Sequence, residues 1–185
     1  MDFFAAPSHE HKRNFQVEAT DGKKYWISRA VAVCAAVVSK LDGQWYILVN
    51  KRGEGCPDFN GMWNVPCGYL DWGETCKEAC AREIWEECGL RVDPLMFYSF
   101  AVDSNPETSN HQNVTIRHIA LVSPEKMQEH LTNIHSEENE VVDIRWIKLG
   151  VDNDRYEWAF NHKQVLKAIE AHLISDPSSM SFYED

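Results

Sequence analysis

Three carboxylates crowd one stretch of the chain, Arg82-Glu83-Ile84-Trp85-Glu86-Glu87. Wound as an α-helix, at about 100° per residue, Glu83, Glu86 and Glu87 fall within about 100° of one another, on one face. Like charges at these spacings weaken a helix by about 0.2–0.5 kcal/mol per pair, a local cost that a divalent cation would remove. Oxygen donors without His or Cys in the cluster favour a hard ion, Mg²⁺ or Mn²⁺, over zinc. The opposite side carries Ala81, Ile84, Trp85 and Cys88, an apolar stripe expected to bury the helix while the acids face a cleft. Arg82 lies four residues after Glu78 and four before Glu86. It can pair along the helix and orient a carboxylate, or neutralise surface charge.

The ends of this helix are written in the sequence. Thr75-Cys76-Lys77-Glu78 is a capping box, and Gly89 is a favoured residue just past a helix end, which predicts a helix from Thr75 to Cys88. Gly68 and Gly73 flank the connection into it, and Glu74 precedes the cap. Gly68, five residues, Glu74, seven residues, Arg82-Glu83-Ile84, one residue, Glu86-Glu87, one residue, Gly89-Leu90 matches every fixed position of the Nudix box. Over these 23 residues the chain resembles a Nudix hydrolase, and the order of predicted strands and helices extends the likeness loosely from about 30 to 173.

The resemblance implies an α/β/α sandwich with a mixed β-sheet. It also implies divalent-metal-dependent hydrolysis of a nucleoside diphosphate linked to another moiety, by attack of water on the pyrophosphate. Carried over by position, Glu86 and Glu87 look like primary metal ligands and Glu83 like a third ligand or the base. Arg82 looks like an orienting residue. The carbonyl before the box glycine, here that of Cys67, looks like a further ligand, although Cys in place of the usual Gly puts its aim in question. An additional acidic ligand is expected before a late strand; Glu140 is the choice, with Glu137 and Glu138 as rivals.

Substrate contacts are read from the surrounding segments. Lys51 and Arg52 end a predicted strand, near where the family often places a phosphate-binding cation. Phe59 and Trp63 adjoin a glycine-containing loop and could face ligand. Pro106 lies 16 residues beyond Leu90, as a proline does in some ADP-ribose pyrophosphatases. ADP-ribose or an ADP-sugar is therefore the expected substrate. The alternatives are a housecleaning hydrolase of modified nucleoside triphosphates and a non-catalytic nucleotide-sensing module. The histidines at 118, 162 and 172 read as structural, whereas His111, on a polar loop, could touch substrate.

The elements that must position these residues follow from pattern. Ala30–Val38 and Gln44–Val49 flank Leu41-Asp42-Gly43, an Asp-Gly hairpin cue. Further strands are predicted at Met62–Val65, Met96–Val102, Asn113–Val122 and Asp143–Lys148. Ser123-Pro124 opens a brief helix, and Val165, Leu166, Ile169 and Leu173 keep helical spacing on a second long one beginning near Asn161. We expect an N-terminal extension over 1–29, polar and solvated, one domain over 30–175, and a flexible tail over 176–185.

Length and composition agree with one globular domain of 185 residues, 44% hydrophobic and 25% charged, a size that hides roughly 70% of the unfolded surface. A net charge of −11 argues against tight binding to a nucleic acid backbone. Fewer than 40 residues follow Trp146, too few for a DNA-binding module beside the last helix. No apolar run reaches the length of a membrane span, and no basic, apolar leader opens the chain. Six cysteines without a C-x₂-C pair read as reduced thiols rather than a disulfide framework or zinc site, hence a cytoplasmic protein. The resemblance also allows a homodimer, with the N-terminal arm as a contact.

Overall fold

The computed structural model describes residues 14–106, 112–134, 136 and 140–175. His9, His11, His111, Glu137, Glu138 and the tail over 176–185 lie outside them. By its contacts the chain divides after Ala30.

Within the first unit, β1 (Phe15–Glu18) and β2 (Lys24–Ile27) form an antiparallel hairpin closed at Asp21-Gly22, where Asp21 accepts the Lys23 N–H at 2.9 Å. The expected solvated arm thus contains strands. The same Asp-Gly cue used at Asp42-Gly43 was present, but only short, Lys- and Glu-bearing segments flank it.

The second unit is a seven-stranded mixed sheet. Its strands are β3 (Val31–Leu41), β4 (Gln44–Arg52), β5 (Trp63–Asn64), β6 (Cys67–Tyr69), β7 (Phe97–Asp103), β8 (Val114–Leu121) and β9 (Val141–Lys148). Strands β5-β4-β3-β8-β7 run side by side, with β6 also on β3 and β9 on β4. The β3–β8 pair is parallel and all others are antiparallel. β3 and β4 meet at Asp42 (φ 48°) and Gly43 (φ 79°), both left-handed as a two-residue hairpin turn requires. Both strands run about three residues longer than their apolar runs predict, because ladder pairing continues into polar residues at the hairpin and past Val49.

The continuous apolar run in β3 exists because both sheet faces are covered. Cys34, Ala36 and Val38 face Val165, Leu166, Ile169 and Leu173 of α3 (His162–Ser175), whereas Val33, Ala35 and Val37 face Ala79, Cys80, Ile84 and Cys88 of α1 (Cys76–Cys88). A third helix, α2 (Pro124–Thr132), is capped by Ser123 and anchored by His130. The His130 ring lies 2.7 Å from the Cys88 carbonyl and accepts the Trp146 indole N–H at 3.0 Å. The result is the expected α/β/α layering. No helix among the described residues is long and apolar enough to cross a membrane.

Helix α1 starts and stops where its caps dictate. Thr75 accepts the Glu78 N–H at 3.3 Å, the Glu78 carboxylate accepts the Thr75 N–H at 2.7 Å, and Gly89 (φ 68°) donates to Trp85 O. T75A should cost about 1 kcal/mol. In thermal unfolding that is a Tm lower by about 2–4 °C, and an unchanged Tm would show the cap to be idle. Two details differ from the sequence reading. Trp85 is 37% exposed and stacks under the Arg91 guanidinium at 4.0 Å, while Ala79 and Cys80 complete the buried stripe. Glu78 is committed to the cap, so Arg82 turns to Glu74 instead.

Candidate active site

A cavity of about 460 Å³ opens beside α1. Glu83, Glu86, Glu87 and Arg82 line it, together with Cys67 and Gly68 of β6, Arg52 at the end of β4, and Glu140 just before β9. The box residues meet because β6 pairs with β3 directly beneath α1, Cys67 opposite Cys34 and Gly68 opposite Val33.

Glu83 is buried against Gly68, where a Cβ would overlap its carboxylate. Any side chain there would displace that carboxylate. Glu87 accepts the Asn50 amide at 3.1 Å and the Cys67 N–H at 3.3 Å. Burial first, and then the neighbouring Glu83 charge, holds the Glu87 carboxyl well above the usual range, and burial likewise raises that of Glu83. Cys67 has no left-handed backbone, so the substitution of Cys for Gly strains nothing.

Arg82 is the hub of the acids. Its guanidinium grips Glu74 through two bonds of 3.0 and 2.8 Å, donates through Nη1 to Glu83 at 2.8 Å and Glu86 at 2.9 Å, and reaches the Tyr69 carbonyl at 3.0 Å. A planar fork can serve so many oxygens at once and an ammonium cannot. Among the described residues no three His, Cys, Asp or Glu side chains close into a ready-made metal cage. Arg82 Nη1 itself stands between Glu83 and Glu86. The donor chemistry nonetheless fits a hard cation. Buried Glu83 stands beside the part-exposed Glu86 and Glu87, and Asn50 Oδ1 next to Glu87 is a buried acceptor with no hydrogen-bond partner among the described residues.

The remaining sequence candidates divide. Arg52 lines the cavity, paired with Asp58 at 2.7 Å and lying 5.1 Å from the Phe160 ring centroid. Glu140 lines it too, its carbonyl accepting the Gly53 N–H at 2.7 Å and the Cys56 thiol at 3.2 Å. Lys51, Phe59, Trp63 and Pro106 do not line it. Lys51 follows the alternation of β4 away from Arg52. Trp63 is a core residue, 6% exposed, its ring 4.9 Å from that of Tyr156 and 5.0 Å from the Arg145 guanidinium. Phe59 packs 4.7 Å from Phe160, and Pro106 is exposed beyond β7.

The sequence reading missed a second cluster on the cavity wall. Arg117 of β8 donates to Asp103 at 3.1 Å and Asn161 at 3.2 Å, and Asn161 donates to the same Asp103 oxygen at 3.2 Å. His162 accepts the Val65 N–H on Nδ1 at 3.0 Å; burial, aided by the Arg117 and Arg52 charges, pushes its pKa down to about 3. An arginine inside the apolar strand Val114–Leu121 was the one signal pointing there. His162, expected to be structural, lines the cavity, whereas His118, 3% exposed, and His172, packed on Phe100, do not.

Residues 28–169 match the family model of the NUDIX domain. A 65-residue stretch is 50% identical to phosphatase NudJ of Escherichia coli (strain K12), covering 35% of this chain and 39% of that protein, well under two thirds of its length. The fold is similar to the NUDIX domain of Shewanella oneidensis NrtR complexed with ADP ribose, at 21% identity and TM-score 0.66 over 80% of this chain and 90% of that one. It is also similar to a bifunctional NMN adenylyltransferase/ADP ribose pyrophosphatase from Francisella tularensis complexed with AMP and a Mn ion, at 22% identity and TM-score 0.57 over 80% and 42%. At these identities the structural likeness speaks for the fold, and the family match spans most of the sequence: the chain belongs to the NUDIX family.

Proposed function

We propose that the protein is a metal-dependent pyrophosphohydrolase that cuts the phosphoanhydride of a nucleoside diphosphate linked to another moiety, with ADP-ribose or an ADP-sugar as the best-fitting substrate. The observation that carries this reading is the convergence of Glu83, Glu86 and Glu87 on one cavity wall, two of them with carboxyls raised by burial. The residues that would hold Mg²⁺ or Mn²⁺ are Glu83, Glu86 and Glu87, with the Cys67 carbonyl and Glu140 as further donors. Such an ion supplies neutralisation of phosphoryl charge and a lowered pKa for bound water. Glu83, placed against Gly68, is positioned to ligate or to accept a proton from water. Arg82 keeps the acids in register.

Six carboxylates and three arginines line the cavity among the described residues, and each arginine is already paired: Arg52 with Asp58, Arg82 with Glu74, Arg117 with Asp103. A phosphoanhydride therefore needs the proposed cation to offset the acidic wall. The six free thiols suit a reducing compartment, the cytoplasm.

A panel of ADP-ribose, ADP-sugars, dinucleotides and modified triphosphates, assayed with Mg²⁺ and Mn²⁺, tests the reading. Release of AMP from the diphosphate derivatives supports it. Preferential cleavage of triphosphates points to the housecleaning role, and binding without turnover of any to the sensing module. R82K keeps the charge but loses the fork, and should lower kcat on the order of 10²-fold by letting Glu83 and Glu86 shift. Steady-state kinetics check this, and a wild-type kcat would remove Arg82 from the positioning role.

A further inference from the structure

Phe160 is held in a conformation that its residue type resists. Its φ is +54°, in the left-handed region where a bulky side chain is a genuine outlier, and Phe59, which packs against it at 4.7 Å, has φ +52°. The backbone around Phe160 is pinned on both sides. Trp63 N–H donates to Glu157 O at 2.8 Å, Ala159 N–H to Trp63 O at 2.9 Å, and His162 N–H to Ala159 O at 3.2 Å. The next two side chains are fixed as well, Asn161 by Arg117 and Asp103, His162 by the Val65 N–H. The strain is thus over-determined by the surroundings, as at sites where it serves a ligand. What the pinning presents is a Phe ring, 38% exposed, on the wall of the same cavity that holds the acids of α1. The Arg52 guanidinium lies 5.1 Å from its centroid. The His162 ring stands 5.4 Å from that of Phe160, centroid to centroid; its Nδ1 accepts a backbone N–H, so its neutral form carries the proton on Nε2. A part-exposed aromatic ring beside a buried imidazole, in the cavity whose other wall is proposed to hold a phosphoanhydride, suits a nucleobase.

We propose that Phe160 is the stacking platform for the nucleobase of the substrate, with Arg52 steadying the ring and His162 offering a hydrogen bond beside it. This rests on the nucleoside diphosphate reading above. It makes Phe160 a specificity residue: it binds the base and takes no part in bond cleavage.

Isothermal titration of AMP, of ADP-ribose and of ribose 5-phosphate, which lacks the base, into wild type, F160A, F160N and F160W tests it apart from turnover. Asn tolerates the left-handed backbone, so F160N removes the ring with the fold preserved. F160A and F160N should weaken AMP roughly 5- to 150-fold, the range that loss of one base–aromatic stack gives. They should leave ribose 5-phosphate within about twofold, and F160W should keep AMP affinity. Equal AMP affinity in wild type and F160N, or equal losses for both ligands, overturns the stacking role. If wild type binds neither AMP nor ADP-ribose, the nucleotide reading itself fails and the platform with it; binding that ignores Phe160 leaves that reading standing.

Discussion

E87Q is expected to lose turnover on the order of 10²–10³-fold while becoming more stable in the absence of divalent ions. Glutamine keeps the size of Glu87 and an oxygen to accept from Asn50 and the Cys67 N–H, so the fold has no reason to fail. What it loses is the charge, which the proposed metal needs and the folded protein otherwise tolerates poorly. The sign follows from linkage. Burial raises the folded-state pKa of Glu87 above its unfolded value. The stability this group allows is therefore complete below the ordinary carboxylate range and declines as pH climbs from there through the raised value. The wild type in chelator should lose stability over that window, and E87Q should lose less, so its Tm advantage widens toward neutral pH. Each kcal/mol would read as about 2–4 °C. Added Mg²⁺ should raise the wild-type Tm and leave E87Q nearly unmoved. E86Q should lose similar activity, with a smaller stability change because Glu86 is exchanged from an ion pair with Arg82. Thermal unfolding from pH 5 to 8, with and without Mg²⁺, checks both. Near-wild-type rates in both variants would remove Glu86 and Glu87 as ligands.

G68A is the second large effect, and it separates function from stability. Gly68 has no left-handed φ, so alanine suits the backbone. The clash is with the Glu83 carboxylate, the far end of a flexible side chain. The cheapest relief is for Glu83 to swing away, which spares much of the fold and moves a proposed ligand or base out of place. Turnover should fall on the order of 10²-fold with a modest drop in Tm. A shorter acid should make room, so G68A with E83D should be less impaired than the two single losses combined. Additive losses in that cycle would show that Gly68 does not act through Glu83.

Much of the site was legible because its signals are local. The capping box, the terminal Gly89 and the acids of α1 sit within one short segment, and their spacing alone determines a shared face. The Asp42-Gly43 turn and the apolar run of β3 declare themselves in the same way. Arg117, Asp103 and the Phe160–His162 segment share a wall only because β8 lies between β3 and β7, and no short-range pattern encodes that adjacency. Lys51 and Arg52 are adjacent cations in the sequence, yet neighbours on a strand point to opposite faces, and only Arg52 lines the cavity. Trp63 misled because a tryptophan beside a loop looks available, whereas its pairing with β4 carries it into the core. The hairpin over Phe15–Ile27 escaped because all eight of its strand residues are exposed and show no buried face.

The most direct test of the central idea is the location of bound metal. In crystals grown with Mn²⁺, the anomalous difference map should place the ion against the Glu86 and Glu87 carboxylates, within reach of Glu83 and the Cys67 carbonyl, with Arg82 Nη1 released from between Glu83 and Glu86. Manganese bound elsewhere, with Arg82 still bridging those two acids, would contradict the account.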